Sequence, residues 1–184
     1  MAQGARRGQN ADVGAGKVTS EGTVRDADAG SGQGRRLAAL AGFVALAFVP
    51  TLGAVVARPD AWYQGLAKPS WNPPPWVFGP VWTLLYATLG LAAWRVWRRS
   101  GWSRPLAWWG LQLLLNAAWT PVFFGAHRVA LALVVVLLLL AAILAFMAAA
   151  WRRHRLAAWL FAPYAAWVAF AATLNAAILA LNGA

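Results

Sequence analysis

Residues 129–151, VALALVVVLLLLAAILAFMAAAW, contain no charged residue, no glycine and no proline. A run this long and this apolar matches the ~20 residues that a helix needs to cross the hydrocarbon core of a bilayer. Backbone in lipid must satisfy its own hydrogen bonds. A continuous apolar run does so as a helix, and the alternating strands of a membrane barrel would read differently.

Four further apolar stretches, at 37–57, 76–97, 105–125 and 156–181, surround it with short polar separators. The spacing predicts an all-α membrane protein, a bundle of five transmembrane helices over residues 37–184. Ahead of it, residues 1–36 are rich in Gly, Ala, Ser, Asp and Arg and hold no aromatic residue. They are expected to be a disordered polar tail, because they bury too little apolar surface to offset the entropy of ordering. Arg35 and Arg36 before an apolar run also permit a twin-arginine secretion signal cleaved near Ala57. That run is long for a signal, and cleavage would remove the neighbour of the aromatic loop that follows.

Of 184 residues, 61% are hydrophobic, with a mean hydropathy of +0.54. The net charge of +11 arises from 16 Lys and Arg against five acids. The bases cluster at the ends of apolar runs, which points to membrane topology and away from nucleic acid. Arg35, Arg36, Arg95, Arg98, Arg99, Arg104, Arg152, Arg153 and Arg155 fall on one side of a five-helix serpentine. Arg58, Lys68 and Arg128 fall on the other. The positive-inside rule then places the N-terminus in the cytoplasm and the C-terminus outside, in a multi-pass cell membrane protein.

Asp12, Glu21, Asp26 and Asp28 lie in the tail, so no carboxylate follows Asp60. Paired-carboxylate mechanisms, an Asp-oriented triad and carboxylate metal sites are therefore absent from the helical body. There is no cysteine, so no thiolate nucleophile or Cys-held metal either. His127 and His154 fall at opposite ends of the predicted spans and cannot grip one metal. No catalytic residue and no metal site are expected.

Thirteen tryptophans are the unusual feature. Trp94, Trp97, Trp102, Trp108, Trp109, Trp151 and Trp159, near span ends, read as an interfacial belt. Trp82, Trp119 and Trp167 lie deeper, with polar neighbours at helical spacing. Gly79, Trp82, Tyr86 and Gly90 share one face; Gln112, Asn116, Trp119 and Phe123 share another; Tyr164, Trp167, Ala171 and Asn175 share a third. Amides and phenols at bilayer depth need partners, so these faces should turn toward one another. The spacing serves equally a pocket for a flat hydrophobic ligand and polar glue between helices.

Between the first two spans, Trp62-Tyr63 and then Lys68-Pro69-Ser70-Trp71-Asn72-Pro73-Pro74-Pro75-Trp76 form a proline-stiffened loop. It reads either as a lid or as an interfacial anchor for the second helix.

Here the residues resemble a known family. Lys68-Pro69, Trp71-Asn72-Pro73-Pro74, Trp76, Phe78, Pro80-Val81-Trp82 and Leu85-Tyr86 are similar to the signature of the TspO/MBR family, the tryptophan-rich sensory or translocator proteins. Gln112, Asn116, Trp119-Thr120-Pro121-Val122-Phe123-Phe124-Gly125, Pro163-Tyr164, Trp167 and Leu174-Asn175 continue the likeness, which covers about residues 37–182. The resemblance implies a homodimeric five-helix bundle that needs no cofactor and binds a tetrapyrrole such as protoporphyrin IX beneath the first loop. It also implies isoquinoline-type drugs and, in animals, cholesterol as ligands. By position, the ligand-lining residues it implies are Trp71, Trp82, Tyr86, Asn116, Trp119, Phe123, Trp167 and Ala171. The lid would comprise Trp62, Tyr63, Pro69, Asn72, Pro73 and Pro74. Two departures stand out: the animal sterol motif has Tyr and Arg after the Leu-Asn pair, absent from Ala176–Leu181, and Ser70 replaces an additional Trp found in some bacterial relatives. The functions implied are sensing of tetrapyrroles in tetrapyrrole or stress regulation, light-dependent porphyrin breakdown, or passive movement of such ligands.

Overall fold

A computed structural model describes residues 33–183. The expected disordered tail therefore lies, through residue 32, outside the described residues. From Leu40 onward the chain forms one compact unit. All regular structure among the described residues is helical: α1 (33–47), α2 (Thr51–Val56), α3 (Ala61–Gly65), α4 (Phe78–Ser100), α5 (Arg104–Thr120), α6 (Val129–Trp151), α7 (Arg155–Leu160) and α8 (Ala162–Asn182).

Stretch 129–151 is one uninterrupted helix, α6. The other predicted runs are shaped by proline and glycine. Pro50 separates α1 from α2, and a three-residue 3₁₀ turn at Pro75–Val77 leads into α4. Gly101, at φ 58°, ends α4 by donating its N–H to the Trp97 carbonyl at 2.8 Å. Arg98 and Arg99 sit in that last turn, where cations complement the helix dipole. Within the predicted run 156–181, a break at Phe161 divides α7 from α8, and Pro163 occupies the first turn of α8.

Run 105–125 departs most from a simple helix. The Pro121 ring cannot donate to the ladder, so α5 stops after 17 residues and Pro121–Gly125 continues as a π-helical turn. Its wide bond runs from the Ala126 N–H to the Pro121 carbonyl, 2.8 Å. Four helices among the described residues are long and apolar enough to cross a membrane: Gln33–Gly53, Pro75–Ser100, Val129–Trp151 and Arg155–Asn182.

Helices α5, α6 and α8 pack side by side, while α4 meets α5 and α7. The main core contains Phe43, Leu85, Leu89, Val96, Val136, Ile143, Phe146, Phe161 and Val168. Phe146 and Phe161 stack at 3.8 Å and seat the α7–α8 break on α6. Leu131, Val134, Leu137, Leu138 and Leu144 on α6 are all exposed, an apolar surface whose natural surrounding is lipid. One belt assignment is corrected. Trp109 is only 5% exposed and meets Phe43 edge-on at 5.5 Å, because its side of α5 turns inward and not toward an interface.

Candidate functional site: an aromatic interior beneath a tethered loop

The three polar faces meet in the core as a chain of side-chain hydrogen bonds. Tyr86 on α4 donates to the Asn116 Oδ1 on α5, 3.2 Å. Asn116 Nδ2 donates to the Tyr164 hydroxyl on α8, 2.8 Å, which donates in turn to Gln112 Oε1, 2.9 Å. Gln112 Nε2 ends the chain, buried and without a partner among the described residues. A second link joins Trp119 Nε1 to Asn175 Oδ1 at 3.2 Å, and Asn175 Nδ2 to the Val129 carbonyl at 3.0 Å. Such bonds between helices hold an apolar bundle in register, since lipid offers a lone amide no alternative partner.

Aromatic rings flank these chains. Trp82 stacks on Tyr86 at 5.2 Å and Trp119 on Phe123 at 5.0 Å, both i to i+4 pairs on one helix face. Trp82 also meets Tyr164 edge-on, and Phe48 leans on Tyr86. Trp167 contacts Phe78 and Phe170, and Trp71 in the loop meets Phe170 at 5.6 Å.

The ligand-lining residues implied by the sequence thus fall into three places. Tyr86, Asn116 and Trp82 gather around Tyr164. Trp119 and Phe123 form a separate pair on α5 and the π turn. Trp167 lines an open apolar groove between α4 and α8, together with Val81, Leu84, Leu85, Pro163, Ala166 and Phe170, with a volume of about 410 Å³, and Trp71 reaches only the Phe170 ring. Ala171 packs against the main core. Gln112, Tyr164 and Asn175 complete the polar chains. Their helical spacing already placed them on the inward faces, whereas which hydroxyl meets which amide depends on helix rotation.

The loop is tied down at two points, Asp60 and Ala67. Asp60 caps α3 by accepting the Tyr63 N–H at 3.1 Å, and its other oxygen meets His127 Nε2 at 3.1 Å. The Tyr63 N–H, aided by His127, holds the Asp60 carboxyl below its ordinary range. His127 takes a left-handed φ of 56°, unusual for a residue with a Cβ, and Trp62 stacks on its ring at 4.1 Å. Trp62 and Tyr63 then reach Phe123 edge-on. At the other side, Asn182 accepts the Ala67 N–H at 2.9 Å and donates to the Ala67 carbonyl at 3.0 Å. Lys68 lies 4.5 Å over the Tyr63 ring. Asn72 closes a backbone turn onto Pro69, where Pro69 and Pro73 are half-buried, whereas Pro74 and Trp71 stay exposed.

Asn182→Ala removes both bonds to Ala67. The expected result is faster amide exchange across residues 61–72, with a loss of global stability of only about 1–2 kcal/mol. Unchanged exchange there would mean that the Ala67 link does not hold the loop.

The model of the TspO/MBR family matches residues 39–181. A tryptophan-rich sensory protein of Cereibacter sphaeroides is 42% identical over 140 residues, 76% of this chain and 89% of that protein. The translocator protein of Homo sapiens is 47% identical over 119 residues, 62% of this chain and 70% of its own length. Protein CrtK of Rhodobacter capsulatus is 39% identical over 147 residues, covering 76% and 89% of the two chains. With its apolar helices and this extent of match, the chain is an integral membrane protein and belongs to the TspO/MBR family.

Proposed function

We propose that this protein is a membrane receptor that senses a flat hydrophobic tetrapyrrole, of the protoporphyrin IX kind, and so regulates tetrapyrrole or stress responses. The observation that carries the reading is the aromatic interior itself, in which stacked indole and phenol rings enclose a buried polar chain ending in the unpartnered Gln112 Nε2. Rings of this kind favour a planar π-system, and a lone amide donor suits a carboxylate or carbonyl on its edge. The interior is closed by its own hydrogen bonds, so the ligand arrives from the side, through the groove between α4 and α8. At about 410 Å³ that groove falls in the ~300–1,000 Å³ range of small-molecule sites. The names of the relatives, one a sensory protein and one a translocator protein, agree with a binding role.

The proposal includes five crossings. α5 with its π turn, residues 104–125, supplies about 30 Å of helix at ~1.5 Å per residue, enough for the hydrocarbon core. Five crossings and the charge rule put the N-terminus in the cytoplasm of a cell membrane and the C-terminus outside. A homodimer is part of the same reading, tested by the mass of the protein–detergent particle.

Titrating protoporphyrin IX into the detergent-solubilised protein is expected to quench tryptophan fluorescence saturably. Trp167→Ala should weaken that binding about tenfold, the loss expected for an aromatic contact worth about 1.4 kcal/mol. Absence of saturable quenching in the intact protein overturns the reading. The lateral opening of the groove also favours passive movement of the ligand through the membrane, which flux of labelled porphyrin into proteoliposomes measures.

A further inference from the structure

We propose that the end of the bundle opposite the loop carries an oxyanion site for a phosphate ester, formed by Arg95 and Arg99 of α4 with His154 of the α6–α7 connection. These three residues, with Leu156 and Ala157, line one small hollow of about 20 Å³. A volume of ~10–15 Å³ admits one water-sized atom, so the hollow takes a single oxygen while the remainder of the group stays at its mouth.

The electrostatics call for an anion. Arg95 and Arg99 lie one helical turn apart on the same face, and neither has an ion pair or hydrogen bond among the described residues. The nearby Arg98 and Arg155 are engaged differently, over the faces of Trp94 and Trp151. In residues 33–183 the one carboxylate is Asp60, which is bound to His127 beside the loop. His154 is buried to 7% exposure and held by the Ser100 hydroxyl at 3.0 Å. Two guanidinium groups converging on a fixed imidazole make a donor set suited to phosphate oxygens. Burial and the charges of Arg99 and Arg153 hold the imidazole below its ordinary range. A bound oxyanion offsets those charges.

The position also indicates where such a group comes from. Trp151, Trp159 and Trp102 are exposed at this end, the depth at which indoles mark lipid headgroups. The ligand chemistry is a phosphate ester, and either a phospholipid headgroup or a soluble phosphate supplies it.

The test uses the full chain in nanodiscs of phosphatidylglycerol or of the phosphate-free lipid digalactosyldiacylglycerol, and in detergent with added inorganic phosphate at constant ionic strength. The expected result is a thermal midpoint several degrees higher in phosphatidylglycerol, and a His154 titration, followed by NMR, that moves up in pH. Because a histidine with a depressed midpoint favours the unfolded state on protonation, stability without an anion should fall as pH drops through about 6.5. The anion should blunt that fall. Arg95→Gln and Arg99→Gln should abolish both effects, while Arg98→Gln and Arg152→Gln, equal in charge, should leave them. A response to phosphatidylglycerol alone assigns a lipid headgroup, and a response to phosphate as well assigns a soluble anion. Equal losses in all four variants, or an unmoved His154 titration in the unmodified protein under every condition, overturn the site.

Discussion

Replacing Gly90 with alanine is expected to destabilise the protein by about 1–3 kcal/mol, seen as a lower thermal midpoint in detergent. A methyl group at this position would lie 2.5 Å from the Val44 Cα and 2.9 Å from its backbone nitrogen. Those atoms belong to the α1 backbone, which gives way only if the whole helix retreats from α4. Helix propensity argues the other way, since alanine is better than glycine in a helix by about 0.5–1 kcal/mol. The steric term is the larger because close backbone approach through a small residue is what joins helices in lipid. Gly110→Ala in α5 is the matched control, as nothing lies within 4 Å of its added methyl. There the midpoint should hold or rise slightly. A retreating α1 also carries Phe48 off the Tyr86 ring, so tetrapyrrole affinity should change along with stability. Equal midpoints for the two variants would show that α1 does not cross α4 at Gly90.

The Gly90–Val44 crossing was hidden in the sequence for a simple reason. Glycine occurs 17 times, and a missing side chain leaves no pattern that names its partner. By contrast α6 was fully legible, because 23 apolar residues without glycine or proline admit one structure. The inward faces were legible too. Gln112 and Asn116 stand one turn apart, as do Tyr164 and Trp167, and burying amides at bilayer depth forces them to meet partners. The π turn after Thr120 was foreshadowed by Pro121, though a proline alone does not distinguish a kink from a changed helical register. Asp60–His127 and Ala67–Asn182 join residues 67 and 115 positions apart, pairings that depend on how the helices are arranged and not on any local period. The groove between α4 and α8 likewise follows from helix placement: Trp167 stood out in the sequence, whereas the Val, Leu, Ala, Pro and Phe residues that line the groove with it read there as ordinary apolar surface.

Asn116→Leu is the second large expected effect, and it separates the two roles that the polar faces serve. Leucine keeps the shape but removes the acceptor of the Tyr86 hydroxyl and the donor to Tyr164. Tyr164 still donates to Gln112, so the principal orphan is the Tyr86 hydroxyl, 4% exposed in the core. An orphaned buried hydroxyl costs about 1–3 kcal/mol, toward the lower end where the unfolded chain in lipid finds other partners. Adding Tyr86→Phe removes that hydroxyl, so the double variant should regain about 1 kcal/mol over Asn116→Leu alone, a coupling that a double-mutant cycle measures directly. Porphyrin quenching in the same pair of proteins then decides the role of the chain. If the amide and phenol serve only to hold α4, α5 and α8 together, restored stability brings restored binding. If they receive the edge of the ligand once the interior opens, the double variant is stable and still binds about tenfold more weakly, because no apolar substitute donates or accepts a hydrogen bond. The second outcome is the expected one: Gln112 Nε2 lacks a partner among the described residues, as Trp109 Nε1 does, but it alone continues the chain of hydrogen bonds from Tyr86 through Asn116 and Tyr164, where an edge group of the ligand would be received.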